Sequence, residues 1–242
     1  MIPIRDKNPS DKTSWVVYGL IVINVLVFLF EISLPAPERE QLFSQYGLIP
    51  HRVKQGFQGE ISVLTGIVIP AFTSMFLHGG WVHLLGNMWF LYIFGDNVEA
   101  KLRKVPFLLF YLFCGLAASA GQVLVSGDAP LPIVGASGAI AGVLGAYIIT
   151  WPKARILTLL PLFYLITFVD LPAYVVLGMW FLIQFFRGFG SIAAGAMGGV
   201  AYWAHVGGFV AGIVLMLVLP KRKGVREAGR QSARSDFKRR RR

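Results

Sequence analysis

Four polar side chains of this 242-residue sequence have the types and spacing needed for nucleophilic chemistry: Ser137, His205, His83 and Asn87. A serine hydroxyl becomes a nucleophile when a neighbouring base takes its proton, so Ser137 and His205 are a candidate pair. His83 and Asn87 are four residues apart and share one face of a helix, where both could donate to the same oxygen. A hydroxyl beside a base, with two donors that can share one oxygen, is a pattern typical of nucleophilic chemistry.

Ser137 lies at the start of an apolar run, rich in glycine and alanine, that ends near Thr150. Pro132 and Gly135 precede the run and indicate where a helix begins. Amide groups in a first helical turn have no intrahelical partner and carry the positive end of the dipole, which favours an anion there. A serine between glycines is also a common packing residue in membrane helices, so this feature alone does not establish catalysis.

The composition is that of a multi-pass membrane protein. The chain is 55% hydrophobic and 14% charged, with a mean hydropathy of +0.63, and apolar stretches near 20 residues recur along it. We predict an all-α fold, a six-transmembrane-helix bundle in which the short Ser137 helix is central. The predicted spans are residues 14–34, 80–100, 105–125, about 137–150, 171–186 and about 197–219.

Two further apolar runs are short for a helix that crosses the membrane, and each contains a proline. Residues 61–77 are interrupted by Gly66 and Pro70, and we interpret them as interfacial or re-entrant. Residues 156–169 contain Pro161 and are interpreted as a second interfacial segment. The polar residues 35–60 are predicted to be a loop.

The net charge of +11 is concentrated in a tail. Residues 221–242 contain eleven Lys or Arg and two acids, a net charge of +9, which leaves only +2 for the other 220 residues. Because the charge lies in a tail and not in a folded groove, we do not expect nucleic-acid binding. Such tails lie against an anionic membrane surface or remain disordered. With six spans, nineteen basic residues fall on the side of both termini and four on the other, so both ends are predicted to be cytoplasmic. The predicted divisions are a cytoplasmic segment 1–13, a membrane domain 14–220 and a disordered basic cytoplasmic tail 221–242.

This topology predicts that the four polar side chains lie at one depth. The second, fourth and sixth spans all begin at the outer face, so His83, Asn87, Ser137 and His205 fall in one outer layer. Polar side chains in spans are costly and usually face the bundle interior or a water-filled cavity. The alternative is that these residues are hydrogen-bonding contacts between helices without a chemical role.

Small residues on two of the spans could bring Ser137 and His205 together. Strips without side-chain bulk let two helix backbones approach closely, so the fourth and sixth spans are predicted to touch. The glycines of these strips are Gly138 and Gly142 in the fourth span and Gly208 and Gly212 in the sixth.

Three ordered motifs resemble the signature of the rhomboid intramembrane serine proteases. They are Gly-Ala-Ser-Gly at 135–138, Ala-His-Val-Gly-Gly at 204–208, and His-Gly-Gly-Trp-Val-His at 78–83 followed by Asn87. The resemblance covers essentially the whole chain and includes residues 94–99. It implies that Ser137 is the nucleophile, that His205 is the base, and that His83, Asn87 and the Ser137 amide bind the oxyanion. It also implies that His78 and Gly135 lie beside the active site.

Two features depart from the family pattern. The Trp-Arg pair of the first outer loop is absent, and the residue four positions after the serine, often an aromatic that stacks on the histidine, is Ala141. Another group must then orient His205, either an aromatic of the sixth span such as Tyr202 or helix packing alone. Glu31 and Asp128 are the only acids expected near the outer layer, and neither belongs to a polar cluster. The sequence therefore predicts a Ser-His dyad.

The resemblance implies a serine endopeptidase that cleaves the transmembrane segments of other membrane proteins near the outer face. Its expected partners are single-span or multi-span membrane proteins and the lipid bilayer, and its expected location is a bacterial inner membrane. No cofactor, metal or nucleic acid is expected, and the single Cys114 lies in an apolar run. Residues 188–199, which contain five glycines, are either a lid or a simple linker.

Two other functions remain open at this point. The first is a catalytically silent protein of the same fold that binds membrane segments, although the chain keeps both Ser137 and His205. The second is a transporter, which would more naturally have charged residues midway through its spans and internal repeats.

Overall fold

The computed structural model describes residues 1–8, 10, 12–162, 165–194 and 199–221. The helices in these ranges are α1 (Trp15–Ser33), α2 (Ala36–Tyr46), α3 (Pro50–Phe57), α4 (Ile69–Thr73), α5 (Trp81–Leu102), α6 (Lys104–Ser126), α7 (Ser137–Thr150), α8 (Ala173–Ala193) and α9 (Tyr202–Val218). A π-helical turn, Leu64–Val68, precedes α4, and a 3-10 turn, Ser74–Phe76, follows it. The strands are β1 (Ile2–Asp6), β2 (Arg155–Leu162) and β3 (Leu165–Pro172).

A helix lies at each of the predicted spans, which correspond to α1, α5, α6, α7, α8 and α9. In the described part of the chain, α1, α6 and α8 are long and apolar enough to cross a membrane. Helix α5 joins them if it is counted with residues 64–76, which meet it at an angle of 81°. Helices α7 and α9 are apolar but shorter, at 14 and 17 residues. The chain is therefore a multi-pass integral membrane protein, and the count of six spans stays a prediction.

Helix α7 is deeply enclosed, because every residue from Gly138 to Tyr147 is buried. Its neighbours are α9, α6, α5 and α8. The approach to α9 is so close that a methyl group at Gly208 would overlap the carbonyl oxygen of Gly138. A methyl group at Gly212 would overlap the carbonyl oxygen of Gly142 in the same way. The two helices are thus in contact backbone to backbone.

The fold is mostly helical, as expected for a helical membrane bundle, but it is not all-α, because the described residues also include a three-stranded antiparallel sheet in the order β1-β2-β3. Residues 156–169, predicted to be an interfacial segment, form most of the β2–β3 hairpin, and β1 pairs with β2. Isoleucine, threonine, valine and phenylalanine in this run favour extended structure, and Pro161 disfavours a helix. Pairing satisfies backbone groups that a short apolar segment would otherwise leave without partners.

Polar contacts attach β1 to the helices. Asp6 is buried, and one of its carboxylate oxygens accepts hydrogen bonds of 2.6 Å from both Asn97 Nδ2 and the Tyr147 hydroxyl. Burial raises the pKa of the Asp6 carboxyl, and these donors counteract part of that effect. Trp89 Nε1 also donates to the carbonyl oxygen of Pro3 at 2.7 Å. The sheet is therefore fastened to α5 and to the far end of α7.

Three other expectations are affected by the structure. Residues 35–60, predicted to be a loop, contain α2 and α3; Pro37 and Pro50 suit the first turns of these helices. The candidate lid 188–199 is helical up to Ala193, and residues 195–198 lie outside the described ranges. Residues 222–242 of the basic tail also lie outside them.

Candidate active site

Ser137 and His205 are joined by a hydrogen bond at the place where α7 and α9 begin. Ser137 is the first residue of α7, and His205 lies in the first turn of α9. His205 Nε2 lies 2.8 Å from Ser137 Oγ. The glycine contacts described above hold the two helix ends together, so the distance between hydroxyl and imidazole is set by the backbones. The structure thus brings the predicted nucleophile and base into contact.

The other side of the His205 ring contacts α8. His205 Nδ1 lies 2.9 Å from Gln184 Oε1, and the centroid of the Trp180 ring lies 5.7 Å from that of the imidazole, tilted by 36°. Trp180 and Gln184 are four residues apart and share one face of α8. These groups, and not Tyr202, are the side chains in contact with the imidazole ring. The ring contact that Ala141 cannot supply comes from a different helix.

Sequence reasoning missed Gln184 and Trp180. A single amide inside an otherwise apolar span was the available signal, because polar side chains in spans usually face the interior. Gln122 of α6 was missed for the same reason: its Oε1 accepts a hydrogen bond of 3.1 Å from the Ala204 amide. That contact satisfies an amide in the first turn of α9, next to His205.

His83 and Asn87, on α5, lie against the backbone just before Ser137. Gly135 has φ +118°, and a Cβ built on it would lie 2.6 Å from Cε1 and Nε2 of the His83 ring and 3.6 Å from Asn87 Nδ2. Glycine is required at this position, because any side chain would be strained and would displace His83. The Gly135 amide donates to the Ser74 carbonyl at 2.8 Å, which fixes the turn that leads into α7.

His78 orients Asn87. The His78 Nδ1 nitrogen lies 3.2 Å from the Phe76 carbonyl oxygen, so Nδ1 is the donor and Nε2 the acceptor. Asn87 Nδ2 donates to this Nε2 at 3.0 Å, which uses one of its two hydrogens. The His78 amide in turn donates to the Glu31 carboxylate at 3.2 and 3.3 Å. Glu31 of α1 is therefore connected through His78 to Asn87, and not to His205.

Asp128, the second acid considered near the outer layer, serves a different contact. Its carboxylate lies 2.7 Å from His51 Nδ1 and 3.1 Å from Lys54 Nζ, which joins α3 to the connection between α6 and α7. The hydrogen bonds from His51 and Lys54 hold the pKa of Asp128 below its usual value. Within the described ranges, no cluster of three or more His, Cys, Asp or Glu side chains suits a metal ion.

The predicted site residues line one open cavity of about 1190 Å³. Ser137, His205, His83 and Asn87 all contribute to its wall, together with Trp180. A cavity of this size exceeds the range of roughly 300–1,000 Å³ that is usual for small-molecule sites. The cavity therefore has an imidazole, a hydroxyl and the side chains of His83 and Asn87 on its wall.

The sequence is similar to that of several known proteins. The Rhomboid domain family matches residues 65–222. Rhomboid-like protein 11, chloroplastic, of Arabidopsis thaliana is 33% identical over 154 residues, which are 62% of this chain and 51% of that protein. Rhomboid protein 1, mitochondrial, of Saccharomyces cerevisiae is 31% identical over 206 residues, 82% of this chain and 51% of that protein. Rhomboid protease GluP of Bacillus subtilis is 42% identical over 74 residues, 31% of this chain and 14% of that protein.

The chain spans about half the length of the first two of these relatives and a smaller part of the third. The family match itself covers more than half of the chain and includes α5 to α9, the helices that carry Ser137, His205, His83 and Asn87. The apolar helices and the family match are both those of a protein embedded in a lipid bilayer. The chain belongs to the rhomboid family.

Proposed function

We propose that this protein is an intramembrane serine endopeptidase that cleaves transmembrane segments of other membrane proteins near the outer face. The observation that carries the proposal is the 2.8 Å contact between Ser137 Oγ and His205 Nε2 on the wall of an open cavity. A half-buried hydroxyl and a buried imidazole without a chemical role would be expected to pack away from such an opening. The similarity to Rhomboid protease GluP, a protease by name, also supports the proposal.

The reaction begins when His205 Nε2 accepts the proton of the Ser137 hydroxyl while Ser137 Oγ attacks the peptide carbonyl carbon. The resulting oxyanion accepts hydrogen bonds from the Ser137 amide and from His83 and Asn87. Collapse of the tetrahedral intermediate breaks the C–N bond, and His205 gives its proton to the departing amine. Water then attacks the acyl-enzyme with His205 as base, and the carboxylic product leaves as the Ser137 hydroxyl is restored.

Three features support the assignment of the oxyanion donors. Ser137 is the first residue of α7, where amide groups have no intrahelical partner and the helix dipole is positive. The His83 ring and the Asn87 amide lie over Gly135, two residues before the nucleophile. His78 holds one hydrogen of the Asn87 amide, which sets the direction of the other. Loss of one such donor is expected to lower kcat about 100- to 1,000-fold.

The proposed setting follows from the distribution of charge. The positive-inside rule favours cytoplasmic termini, with 1–13 and 221–242 flanking a membrane domain at 14–220 and the site near the outer face. We propose a bacterial inner membrane, although two of the relatives described above are named for organelles. Single-span or multi-span membrane proteins are the proposed substrates, and the proposed reaction needs no metal or cofactor.

The test uses the purified full chain in liposomes with labelled single-span segments, and a fluorophosphonate probe that reacts with activated serines whatever the substrate. We expect cleavage and labelling by the wild type, and a loss of at least about a thousandfold of both in Ser137→Ala and His205→Ala. Ser33→Ala is a matched control, because the Ser33 hydroxyl bonds to the Phe30 carbonyl of its own helix.

Cleavage that survives Ser137→Ala or His205→Ala would overturn the mechanism. A wild type that binds segments but neither cleaves nor reacts with the probe would favour the catalytically silent alternative. Movement of a solute across the liposome membrane without proteolysis would favour a transporter.

A further inference from the structure

Building on the protease function proposed above, we propose that Gln184 is a positioning residue that fixes the tautomer of His205, so that α8 completes a Ser-His-Gln triad. The line of contacts runs from Gln184 Oε1 to His205 Nδ1 at 2.9 Å, and from His205 Nε2 to Ser137 Oγ at 2.8 Å. Three helices meet along this line, since α8 supplies the amide, α9 the imidazole and α7 the hydroxyl.

The donor and acceptor rules determine which nitrogen carries the hydrogen. A neutral imidazole has one N–H and one lone pair, whereas an amide oxygen can only accept. Gln184 Oε1 therefore requires the hydrogen to be on His205 Nδ1, which leaves the lone pair of Nε2 directed at Ser137. With the other tautomer, an N–H would face the serine and His205 could not take its proton. The amide thus selects the tautomer that works as a base.

The position of Gln184 in α8 supports this role. Its neighbours Leu182 and Ile183 are exposed, with 43% and 42% of their surface accessible. Gln184 is less exposed than either, because its amide lies against His205. An amide is costly in a membrane helix unless it has a hydrogen-bond partner, so its direction is determined by the contact with His205. A neutral amide orients the ring without burying a second charge, which a carboxylate at the same place would require.

Trp180 limits rotation of the same ring. The centroid of its ring lies 5.7 Å from that of the imidazole and 6.2 Å from that of Phe209, and the ring planes are tilted by 36° and 33°. Rotation of a histidine ring about χ2 is otherwise broad, so a flat neighbour on one face keeps Nδ1 near Gln184. Trp180 and Gln184 lie one turn apart on α8, so a single helix provides both restraints.

The test measures the tautomer directly and the reaction separately. Nitrogen-15 NMR of the full chain in detergent reports which ring nitrogen of His205 carries the hydrogen, and His205→Gln assigns the signal. We expect the Nδ1–H tautomer in the wild type and a mixture of tautomers in Gln184→Leu, which has a similar volume and no acceptor. Leu182→Ala, on the exposed face of the same helix, is the control and should leave the signal unchanged.

The kinetic arm uses the same variants with a labelled segment and with the fluorophosphonate probe. Gln184→Leu should lower kcat and the rate of labelling by about ten- to a hundredfold, a fraction of what a general base contributes, with KM within about twofold. Gln184→Glu retains the acceptor and should return kcat to within about threefold of the wild type. A residue with a merely structural role would not be rescued in this way.

Two results would overturn the inference: a wild type in which Nε2 carries the hydrogen, or a Gln184→Leu protein that keeps both the Nδ1–H tautomer and a kcat within twofold of the wild type. If Gln184→Leu does not fold, the wild-type tautomer and the Gln184→Asn variant, whose shorter amide should lose the contact, decide the matter. A wild type that carries the expected tautomer but neither cleaves nor labels would count against the proposed function and not against the role of Gln184.

Discussion

His205 is held from two sides by different kinds of contact. On the α7 side the helices meet backbone to backbone, at Gly208 against Gly138 and at Gly212 against Gly142. On the α8 side the contact is made by large side chains. One of them is Phe181, whose ring centroid lies 4.7 Å from that of Phe209 on α9. Backbones held at this distance cannot adjust, whereas side chains can change rotamer. The α7 contact therefore sets where His205, the proposed base, lies, and the α8 contact sets how its ring is oriented.

The largest effect is expected from a change in the rigid contact. Gly208→Ala would force its methyl group against the Gly138 carbonyl, so α9 must move away from α7. We expect a loss of stability of about 1–3 kcal/mol and a loss of fluorophosphonate labelling of Ser137. Gly178→Ala is the control: no atom lies within 4 Å of a Cβ there, so it should be neutral or slightly stabilising. Equal labelling in Gly208→Ala and the wild type would mean that the helix contact does not set the distance.

A second rigid contact, on the α5 side, should have the next largest effect. Gly135→Ala places a methyl group 2.6 Å from the His83 ring at a φ of +118°. The oxyanion donors should be displaced, so kcat should fall about 100-fold or more, while KM changes little. Steady-state kinetics with a labelled segment measure this effect. A larger change in KM than in kcat would show that Gly135 shapes substrate binding instead.

Changes in the side-chain contact between α8 and His205 should have a smaller effect, which depends on how much of the Trp180 ring is kept. Trp180→Ala removes the ring beside the imidazole, and we expect kcat to fall about tenfold, near the lower limit for a misoriented general base. Trp180→Phe keeps a flat ring and should remain within about threefold of the wild type. The comparison between the two sides fails if Trp180→Ala lowers kcat as much as Gly208→Ala does.

The smallest effect is expected far from both contacts. The hydrogen bonds from His51 and Lys54 hold the pKa of Asp128 below its usual value near 3.8. A lowered pKa means that this carboxylate stabilises the fold above that value, and that the stabilisation is lost as the pH falls through the pKa of the folded protein. Asp128→Asn should therefore unfold at a slightly lower temperature than the wild type at pH 7, and the difference should vanish at a pH well below 3.8, where the carboxyl of the folded protein is protonated. Thermal unfolding at both pH values, with unchanged labelling of Ser137, checks this.

The contact of α9 with α7 was predictable from the sequence, and its contact with α8 was not. Glycines at helical spacing indicate where two backbones can meet, so the contact between Ser137 and His205 could be predicted from the positions of these residues in the sequence. The role of Gln184 depends on how α8 is rotated against α9, and spacing within either helix does not determine that rotation. A neutral amide also carries no charge that would mark it in the sequence as a partner of a histidine.

The fold divides in the same way. Hydropathy located the long helices, because a span of about 20 apolar residues is a strong signal. The β2–β3 hairpin was missed because periodicity does not separate a short apolar strand from a short apolar helix. Helices α2 and α3 were missed because they are short and polar; neither contains a long apolar run. The partner of β1 was also beyond prediction, since no local pattern identifies a strand about 150 residues away.

That distance along the chain imposes an order of assembly. Ile2 pairs with Leu159 and Asp6 pairs with Ile156, so the first strand has no partner until the ribosome has translated the hairpin. At roughly 5–20 residues per second, the wait is about 8–30 s, during which the preceding helices can insert. The Tyr147–Asp6 hydrogen bond likewise has to wait until the chain has been translated as far as Tyr147. The first strand, although synthesised first, can therefore reach its place only after helices α1 to α7 have been made.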